Sequence, residues 1–436
     1  MLHHRLVGPL LAALVTHASA QTPALNTAVA GQVDRAYPAL EALYQDIHSH
    51  PEIAFEETRT AARLAAEMRA LGFTVTEGVG KTGLVAIYEN GAGPTVMVRT
   101  ELDALPMEEK TGLPYASRAK TLSNGRESFV THSCGHDVHM TAWVGTARTL
   151  VALKDRWQGR LMFIAQPAEE IVAGARAMVE DGLFTRFPKP DVAVAIHTTS
   201  TAYGTVQFRA GPAMSANDTF EIIFKGRGGH GSAPHATIDP IAMAARFVTD
   251  VQAVISREKD PREFGVITVG AFQAGTVGNI IPDQAVLRGT IRSYLPEVRD
   301  VLLAGLRRTA QHVAAAAGAP EPEVTITPGV GAVMNDEAVI RRVDAAIRST
   351  LGADKVLLAK PATASEDFSV YALQGIPSLL MHFGVYPPDR VEAAAKPGAV
   401  PLPSNHSPQF APVAEPSIKN GIKISSAAVL ALLAKR

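Results

Sequence analysis

The chain has 436 residues, of which 41 are basic, 42 are acidic and 47% are hydrophobic. A chain of this length can bury the cores of two or three domains, and its apolar content argues against intrinsic disorder. The formal net charge of −1 gives no electrostatic basis for nucleic-acid binding, and the single cysteine excludes a disulfide scaffold.

The first twenty residues have the composition of a signal peptide. Arg5 lies near the start, residues 6–15 are apolar, and residues 18–20 form a small-x-small cleavage site. This apolar run is about half as long as the roughly 20 residues needed to span a bilayer, and no later segment is long and apolar enough. We therefore expect export to the periplasm or the medium, with no membrane span.

Helical and β-type patterns alternate over the next two hundred residues. Helical periodicity covers residues 33–48, 58–71 and 140–153. Short runs rich in β-forming residues lie at residues 84–88, 95–99, 160–165 and 191–196. This alternation predicts an α/β domain with a mainly parallel sheet flanked by helices.

A different order of elements follows. The predicted sequence is strand, helix, strand, strand, helix, strand, at residues 219–225, 240–257, 264–272, 284–292, 297–317 and 323–327. That order is typical of a ferredoxin-like α+β unit. A helix at 336–351, a strand at 378–383, a loop at 391–403 and a helix at 416–434 complete the chain. We expect residues 21–211 and 329–436 to form the larger domain, and residues 212–328 to be inserted in it.

The densest group of metal-binding side chains begins at Cys134. It continues with His136, Asp137 and His139. Thiolate sulfur and imidazole nitrogen are both good ligands for Zn²⁺, and Gly135 allows a tight bend between the first two ligands. The pattern favours a divalent-metal site at the start of a helix. The alternative is that these residues only cap the helix and bury a thiol.

Two adjacent carboxylates, Glu169 and Glu170, follow the predicted strand 160–165. Open α/β sheets bind ligands at the carboxyl ends of their strands, so one carboxylate can bind metal while the other holds a water as general base. Taken alone, such a pair more often begins a solvated helix. Asp103 and His197 also follow predicted strands, and this coincidence favours a metal centre at one edge of the sheet.

The glycines of residues 226–231 match the pattern of a dinucleotide-binding loop. Pro234 and Pro240 prevent a helix from starting directly after them, so the pattern does not indicate a nucleotide site. We expect these glycines to shape a loop that presents His230 and His235.

Taken together, these segments resemble the metal-dependent aminoacylase and carboxypeptidase family that includes hippurate hydrolase, the indole-acetyl-amino-acid hydrolases and N-acetyl-diaminopimelate deacetylase. The resemblance extends from about His48 to Pro408. Its motifs occur in the family's order: Cys134-Gly135-His136-Asp137-Val138-His139, Glu169-Glu170, Gly229-His230-Gly231, Asn279-Ile280-Ile281-Pro282-Asp283 and Ser365-Glu366-Asp367-Phe368.

The resemblance implies that the larger domain is a catalytic domain holding two divalent cations. The implied reaction is hydrolysis of the amide bond of N-acyl amino acids or short peptides with a free carboxylate. Five side chains match the family's metal ligands: Cys134, His136, Glu170, His197 and His406. Glu169 matches the general base, and Asp103 would orient the ligands.

The resemblance also implies roles for the inserted domain as a lid and as the contact of a homodimer. In this domain His230 would stabilise the oxyanion, while Asn279 and Arg292 would hold the substrate carboxylate. Two positions depart from the family: Glu101 replaces the usual Asp, and Gly231 replaces the usual Ala. We expect the first change to affect how the ligands are oriented and the second to loosen the lid histidine.

Two other classes of protein are alternative interpretations of this sequence. A bilobal periplasmic protein that binds a metal or ligand without hydrolysis is the main alternative, although such a protein has no use for Glu169 beside Glu170. A β/α-barrel hydrolase would need about eight strand–helix repeats, which residues 218–327 interrupt. The sequence leaves open the acyl group, the amino acid, the choice between amidase and peptidase, and the metal among Zn²⁺, Mn²⁺, Co²⁺ and Ni²⁺.

Overall fold

A computed structural model describes residues 22–434 of the chain. The predicted signal peptide, residues 1–20, lies outside the described residues. The α-helices of the described chain are Thr22–Ser49, Thr58–Ala70, His136–Ala152, Gly174–Glu180, Leu183–Arg186, Pro240–Asp250, Pro296–Ala316, Glu337–Leu351, Ser369–Leu373, Pro388–Ala394 and Ala414–Leu432. Within residues 22–434, no helix combines the length and hydropathy needed to cross a bilayer.

The larger domain is built on an eight-stranded sheet. Its strands lie in the order Thr74–Val79, Gly83–Asn90, Gly159–Gln166, Thr95–Glu101, Val192–Ala202, Ser378–Tyr386, Val206–Phe208 and Val356–Leu358. The four central strands run parallel to one another. Every residue of Thr95–Glu101 is buried, as expected for a parallel strand covered on both faces.

Helices cover both faces of this sheet, so the larger domain has two layers of core. The helix Glu337–Leu351 packs through one apolar face. Its Val339, Val343 and Ile347 recur every four residues and are buried, while its other positions are accessible to solvent to varying degrees. By contrast, His136–Ala152 is buried along almost its whole length. This arrangement confirms the predicted α/β class with a mostly parallel sheet flanked by helices.

The inserted segment forms a four-stranded antiparallel sheet of its own. Its strands lie in the order Gly265–Ala274, Gln284–Ser293, Ala216–Lys225 and Glu323–Pro328. The helices Pro240–Asp250 and Pro296–Ala316 pack on it and bury a third, separate apolar core. This strand order is that of a β-α-β-β-α-β unit.

Two short strands connect the two sheets. Gly211–Met214 leads into the inserted unit, Val333–Asn335 leads out of it, and the two pair antiparallel. Met214 and Val333 are buried in the core of the larger domain. The sheet of the inserted unit therefore begins at Ala216, after the first connecting strand, and ends at Pro328, before the second.

The structure corrects several predicted boundaries. His197 does not close a strand: the strand Val192–Ala202 continues for five residues beyond it, because Ser378–Tyr386 pairs along most of that length. The predicted helix 240–257 ends at Asp250 and is followed by a π-helical turn, Val254–Glu258. The predicted loop 391–403 overlaps the helix Pro388–Ala394. Helix ends and short breaks depend on tertiary packing, which local periodicity does not encode.

Two sequence patterns take other forms in the structure. The glycines of residues 226–231 are followed by a single 3₁₀ turn, Pro234–Ala236, and within this segment Gly229–His230 pairs with Ile280–Ile281. Glu169 and Glu170 lie in a turn and do not begin a helix. Ala168 before them has a positive φ of 49°, in the left-handed region that residues other than glycine adopt uncommonly.

Candidate metal centre and active site

The loop that carries Cys134 and His136 turns sharply into a helix. Gly135 has φ 86°, in the left-handed region that favours glycine, and precedes the helix His136–Ala152. A Cβ at Gly135 would lie 2.7 Å from Thr198 Oγ1. The glycine thus allows Cys134 and His136 to approach the neighbouring strand.

Backbone carbonyls orient the two histidines from behind. His136 Nδ1 donates to Asp103 O at 2.7 Å, and His197 Nδ1 donates to Thr198 O at 2.8 Å. In each ring this leaves Nε2 with a free lone pair, the form that binds a metal. Burial, together with His139, lowers the pKa of His197 well below its ordinary value, which keeps the ring neutral.

Asp103 holds the turn that carries the two glutamates. Its carboxylate accepts the backbone N–H groups of Glu169 at 3.0 Å and Glu170 at 2.9 Å. Because its own carbonyl also binds His136, one residue connects three parts of the site. Burial raises the pKa of Asp103 to about 7.

His406 reaches the site from the last long loop. It has φ 67°, and its backbone N–H donates to Ser133 O at 2.8 Å. Asn405 Nδ2 donates to Cys134 O at 2.8 Å. These bonds attach the loop to the Cys134 segment and place His406 Nε2 3.2 Å from Glu170 Oε2.

The structure brings the five predicted ligands together. Cys134 Sγ lies 3.5 Å from His197 Nε2, and His136 Nε2 lies 3.9 Å from Glu170 Oε1. Two overlapping groups have all ligand atoms within 4.8 Å of one another: Cys134, His136 and His197, and Cys134, Glu170 and His406.

These side chains fit a divalent cation. Although His136 Nε2 and Glu170 Oε1 are buried, neither has a hydrogen-bond partner among the described residues. Unpaired buried polar atoms are costly, and a cation would satisfy both. Sulfur, imidazole nitrogen and carboxylate oxygen are also the donor set that Zn²⁺ and related transition metals accept.

Glu169 faces a second group of carboxylates. Its carboxylate lies within 4.8 Å of those of Glu366 and Asp367, and the side chain is almost fully buried. Burial, together with Glu366, Glu170 and Asp367, raises the pKa of Glu169 well above its ordinary value. A carboxylate with a raised pKa accepts a proton more readily, which suits a general base.

Arg99 balances this negative charge from within the sheet. Its Nη2 donates to Glu366 Oε1 at 2.7 Å and to Asp367 Oδ1 at 3.1 Å, and its Nη1 donates to Glu101. The guanidinium is fully buried. A buried arginine needs such partners, because an isolated charge in the core is strongly unfavourable.

Glu101, which departs from the family pattern, lies one step behind the ligands. Its Oε2 accepts from His139 Nδ1 at 3.0 Å, and His139 Nε2 accepts the backbone N–H of Thr198 at 2.8 Å. This chain of contacts ends beside His197. The effect of the longer side chain at this position stays a prediction.

A buried ion pair supports the Cys134 segment from its other side. His48 Nδ1 lies 2.6 Å from Asp137 Oδ2, and His48 Nε2 lies 3.2 Å from Glu109 Oε1. Burial alone would lower the pKa of His48, but the hydrogen bonds to the two carboxylates outweigh it and raise the pKa to about 10. His48 is therefore an imidazolium at neutral pH.

A cavity of about 520 Å³ opens directly over the ligands. Arg292 of the inserted domain lines it, as do Glu169 and the four ligands Cys134, Glu170, His197 and His406. His382 also lines it, in register with His197 on the neighbouring strand. The cavity is thus lined by the candidate metal ligands and the candidate base, and also by the guanidinium of Arg292.

His230 and Asn279 are not brought into this cavity. Both are exposed; His230 Nδ1 accepts from Ser232 Oγ at 2.7 Å, and Asn279 O accepts the backbone N–H of Gly231 at 2.8 Å. Within residues 22–434 neither side chain contacts a metal ligand. Their predicted roles stay predictions for this chain.

Several residues of the site were not identified from the sequence. Arg99 had a usable signal, because a charged residue that ends an apolar run is rarely buried without a functional or structural partner. His139 was seen only as part of the metal-binding motif. For Thr198 and Asn405 the sequence carries no signal, since both act through contacts between distant segments.

Comparison with known proteins places this geometry in a family. Residues 97–428 match the model of peptidase family M20/M25/M40. The chain belongs to this family. It is 35% identical over 341 residues to the N-acetyl-L-cysteine deacetylase of Bacillus subtilis, covering 78% of each chain. It is 34% identical over 338 residues to the hippurate hydrolase of Campylobacter jejuni, covering 76% of this chain and 84% of that one.

A solved structure shares the fold of this M20/M25/M40 chain. The structure of a dinuclear metal-binding peptidase of the M20 family from Bacillus subtilis superposes with a TM-score of 0.74 and 28% identity, covering 94% of this chain and 99% of that one. Family membership confirms the interpretation of the chain as a hydrolase of amide or peptide bonds. It gives no support to a binding protein without hydrolytic activity.

Proposed function

We propose that this chain hydrolyses the amide bond of N-acyl amino acids, or of short peptides with a free carboxylate, using two divalent cations. The observation that carries the proposal is the position of Glu169 beside five converging ligand side chains. A site that only bound metal would gain nothing from a sixth, buried group with a raised pKa.

Two cations account for the ligand arrangement. The two groups of ligands share Cys134 and otherwise use different side chains, so each group offers a place for one ion. Divalent cations at such a site act as Lewis acids, which acidify water and polarise a carbonyl. The donor set accepts Zn²⁺, Mn²⁺, Co²⁺ or Ni²⁺.

The chain's own residues supply the proton transfers and the binding of substrate. Glu169 takes the proton of the attacking water and returns it to the leaving amine. Arg292, which faces the same cavity, binds the carboxylate of the substrate. Because Arg292 belongs to the inserted domain, closure of this domain over the cavity would limit the access of bulk water to the reacting groups.

The test of this proposal separates proton transfer from metal binding. We expect Glu169→Gln to retain both metals and to lose at least about 10³-fold in kcat on an N-acyl amino acid, because the amide cannot accept a proton. Glu170→Gln is the matched control, one residue along the same turn, and should lose metal. Metal content by mass spectrometry and turnover with metal restored after chelation give both readouts.

Near-normal activity of Glu169→Gln would contradict the assignment of the base. Absence of metal-dependent amine release from N-acetyl, N-benzoyl and dipeptide substrates alike would contradict the proposed function itself.

We further propose a homodimer formed through the inserted domain. The strand Gly265–Ala274 is an edge of its sheet, and Phe272 on that strand is exposed. Free edges of this kind pair readily with a second chain. His230 and Asn279 are exposed and lie outside the cavity of their own chain, so both are accessible to a second chain. A monomeric mass by light scattering would contradict this proposal.

Finally, we propose that the protein is exported, to the periplasm or the medium. Support comes only from the charged start, apolar run and small-residue cleavage site of residues 1–20. A mature protein that retains these residues would contradict it.

A further inference from the structure

Arg292 enters the catalytic cavity without an acidic partner. Its Nη1 donates to Ser365 Oγ, and within residues 22–434 no carboxylate lies within ion-pair distance of its guanidinium. Arginine has five N–H donors, so most of this group's donors are available to a ligand. A partly buried guanidinium that faces a cavity in this state is suited to binding an anion.

Asn217 lies directly opposite Arg292 on the neighbouring antiparallel strand. Side chains at opposed positions lie on the same face of the sheet, with Cβ atoms about 4.5–5.5 Å apart. Both Asn217 and Arg292 line the cavity of about 520 Å³. The two side chains therefore present a guanidinium and a carboxamide to the same space.

The carboxamide of Asn217 is unengaged. Its Oδ1 is buried and accepts no hydrogen bond from the described residues, and its Nδ2 donates none within the same part of the chain. Only its backbone is used, where its N–H donates to Val330 O at 3.0 Å. A buried polar atom without a partner is rare, and a ligand in the cavity would satisfy it.

We propose that Asn217 and Arg292 of one chain together bind the leaving half of the substrate, an α-amino acid with a free carboxylate. Arg292 and Asn217 Nδ2 donate to the carboxylate, and Asn217 Oδ1 accepts the N–H of the scissile amide. In an N-acyl α-amino acid these two groups are attached to the same carbon, so one carboxamide reaches both. This inference rests on the proposed amide hydrolysis and adds the residue that selects the leaving group.

The experiment compares substrates with and without the carboxylate. We expect Asn217→Ala to raise KM for an N-acetyl amino acid about tenfold with little change in kcat, and Asn217→Asp to raise it about a hundredfold through like-charge repulsion. Thr219→Ala is the matched control: it lies two residues along the same strand and lines only a neighbouring cavity. We expect no change in KM for this variant.

The α-carboxamide of the same N-acetyl amino acid distinguishes recognition from a structural effect. We expect Asn217→Ala to lose most of the wild-type preference for the acid over the carboxamide. Arg292→Met should lose it as well, and the double variant should lose little more than Arg292→Met alone. Equal losses on acid and carboxamide, or an unchanged KM in Asn217→Ala, would overturn the inference while leaving the proposed hydrolysis intact. Failure of the metal-loaded wild-type protein to hydrolyse either substrate would instead reject the proposed function, and the inference with it.

Discussion

Among single residues, Asp103 does most to assemble the metal site. Its carboxylate holds the backbone of Glu169 and Glu170, and its carbonyl orients His136. His48 has a comparable part on the other side of the Cys134 segment, where it binds Asp137 and Glu109. Neither residue touches the cavity, so each acts by positioning other groups.

The charge of His48 predicts a pH-dependent stability. Its pKa rises from the ordinary value of 6.5 to about 10 on folding, so its stabilising effect is complete below pH 6.5 and is lost as the pH rises toward 10. We expect His48→Gln to lower the free energy of unfolding by about 3 kcal/mol at pH 6.5, because two buried carboxylates lose their partner. The deficit relative to wild type should shrink at pH 9.5.

Urea denaturation across this pH range measures the effect. His50→Gln is the control: the His50 side chain is 54% exposed and, among the described residues, contacts Asp46 and Ser49 at the surface. Its removal should change stability by less than about 0.5 kcal/mol. A deficit of His48→Gln that is equal at pH 6.5 and 9.5 would show that His48 is not charged in the folded protein.

At the scale of elements, the turn before the helix His136–Ala152 sets the geometry of the first two ligands. Gly135 combines a left-handed backbone with a close approach to Thr198, whose neighbour His197 is also a proposed ligand. The helix that follows is buried and bonded to the sheet, with Trp143 Nε1 donating to Val98 O at 3.0 Å. The turn therefore connects a buried helix with the strand that carries His197, and a shift in one would displace a proposed ligand on the other.

We expect Gly135→Ala to reduce metal affinity at least about tenfold and stability by about 3 kcal/mol, because the backbone is strained and the new methyl group displaces Thr198. Gly125→Ala is the control: Gly125 has φ 74°, but a methyl group added there would meet no atom within 4 Å, so it isolates the backbone cost of about 1 kcal/mol. Calorimetric metal titration and chemical denaturation provide the two measurements. Unchanged metal affinity in Gly135→Ala would show that the contact with Thr198 does not position the ligands.

At the scale of the whole molecule, the proposed metal ligands belong to one domain and part of the cavity wall to the other. The five ligands come from four separate segments of the larger domain, whereas Asn217 and Arg292 come from the inserted one. Among the described residues, the sheet and helices of the inserted domain have a core of their own, which contains no residue of the larger domain. A cation bound by the proposed ligands would therefore link segments of one domain only.

This arrangement predicts an uneven response to metal. Adding Zn²⁺ to the chelated protein at about a hundredfold above Kd should stabilise the larger domain by roughly 2.7 kcal/mol for each cation bound. Hydrogen exchange should slow at the Cys134, Glu169 and His406 segments and stay unchanged in the sheet strands of the inserted domain, which serve as the internal reference. Equal protection of both domains would contradict the separation of the two cores.

Much of the fold could be predicted from the sequence. Helices such as Glu337–Leu351 repeat apolar residues with helical spacing, and the buried parallel strands contain short apolar runs, so local patterns identify both. The extension of the first helix to residues before 33 and the continuation of the strand beyond His197 were not predicted. Both depend on packing partners far away in the chain.

The sequence by itself determined which side chains are available for chemistry: a thiol, three histidines and two adjacent carboxylates at recognisable positions. Only the tertiary structure decided which of them share a cavity, and it brought together Asn217 and Arg292 while leaving His230 and Asn279 outside. The reason is physical: residue type and spacing encode local conformation and reactivity, whereas contacts between residues hundreds of positions apart arise only when separate elements pack against one another.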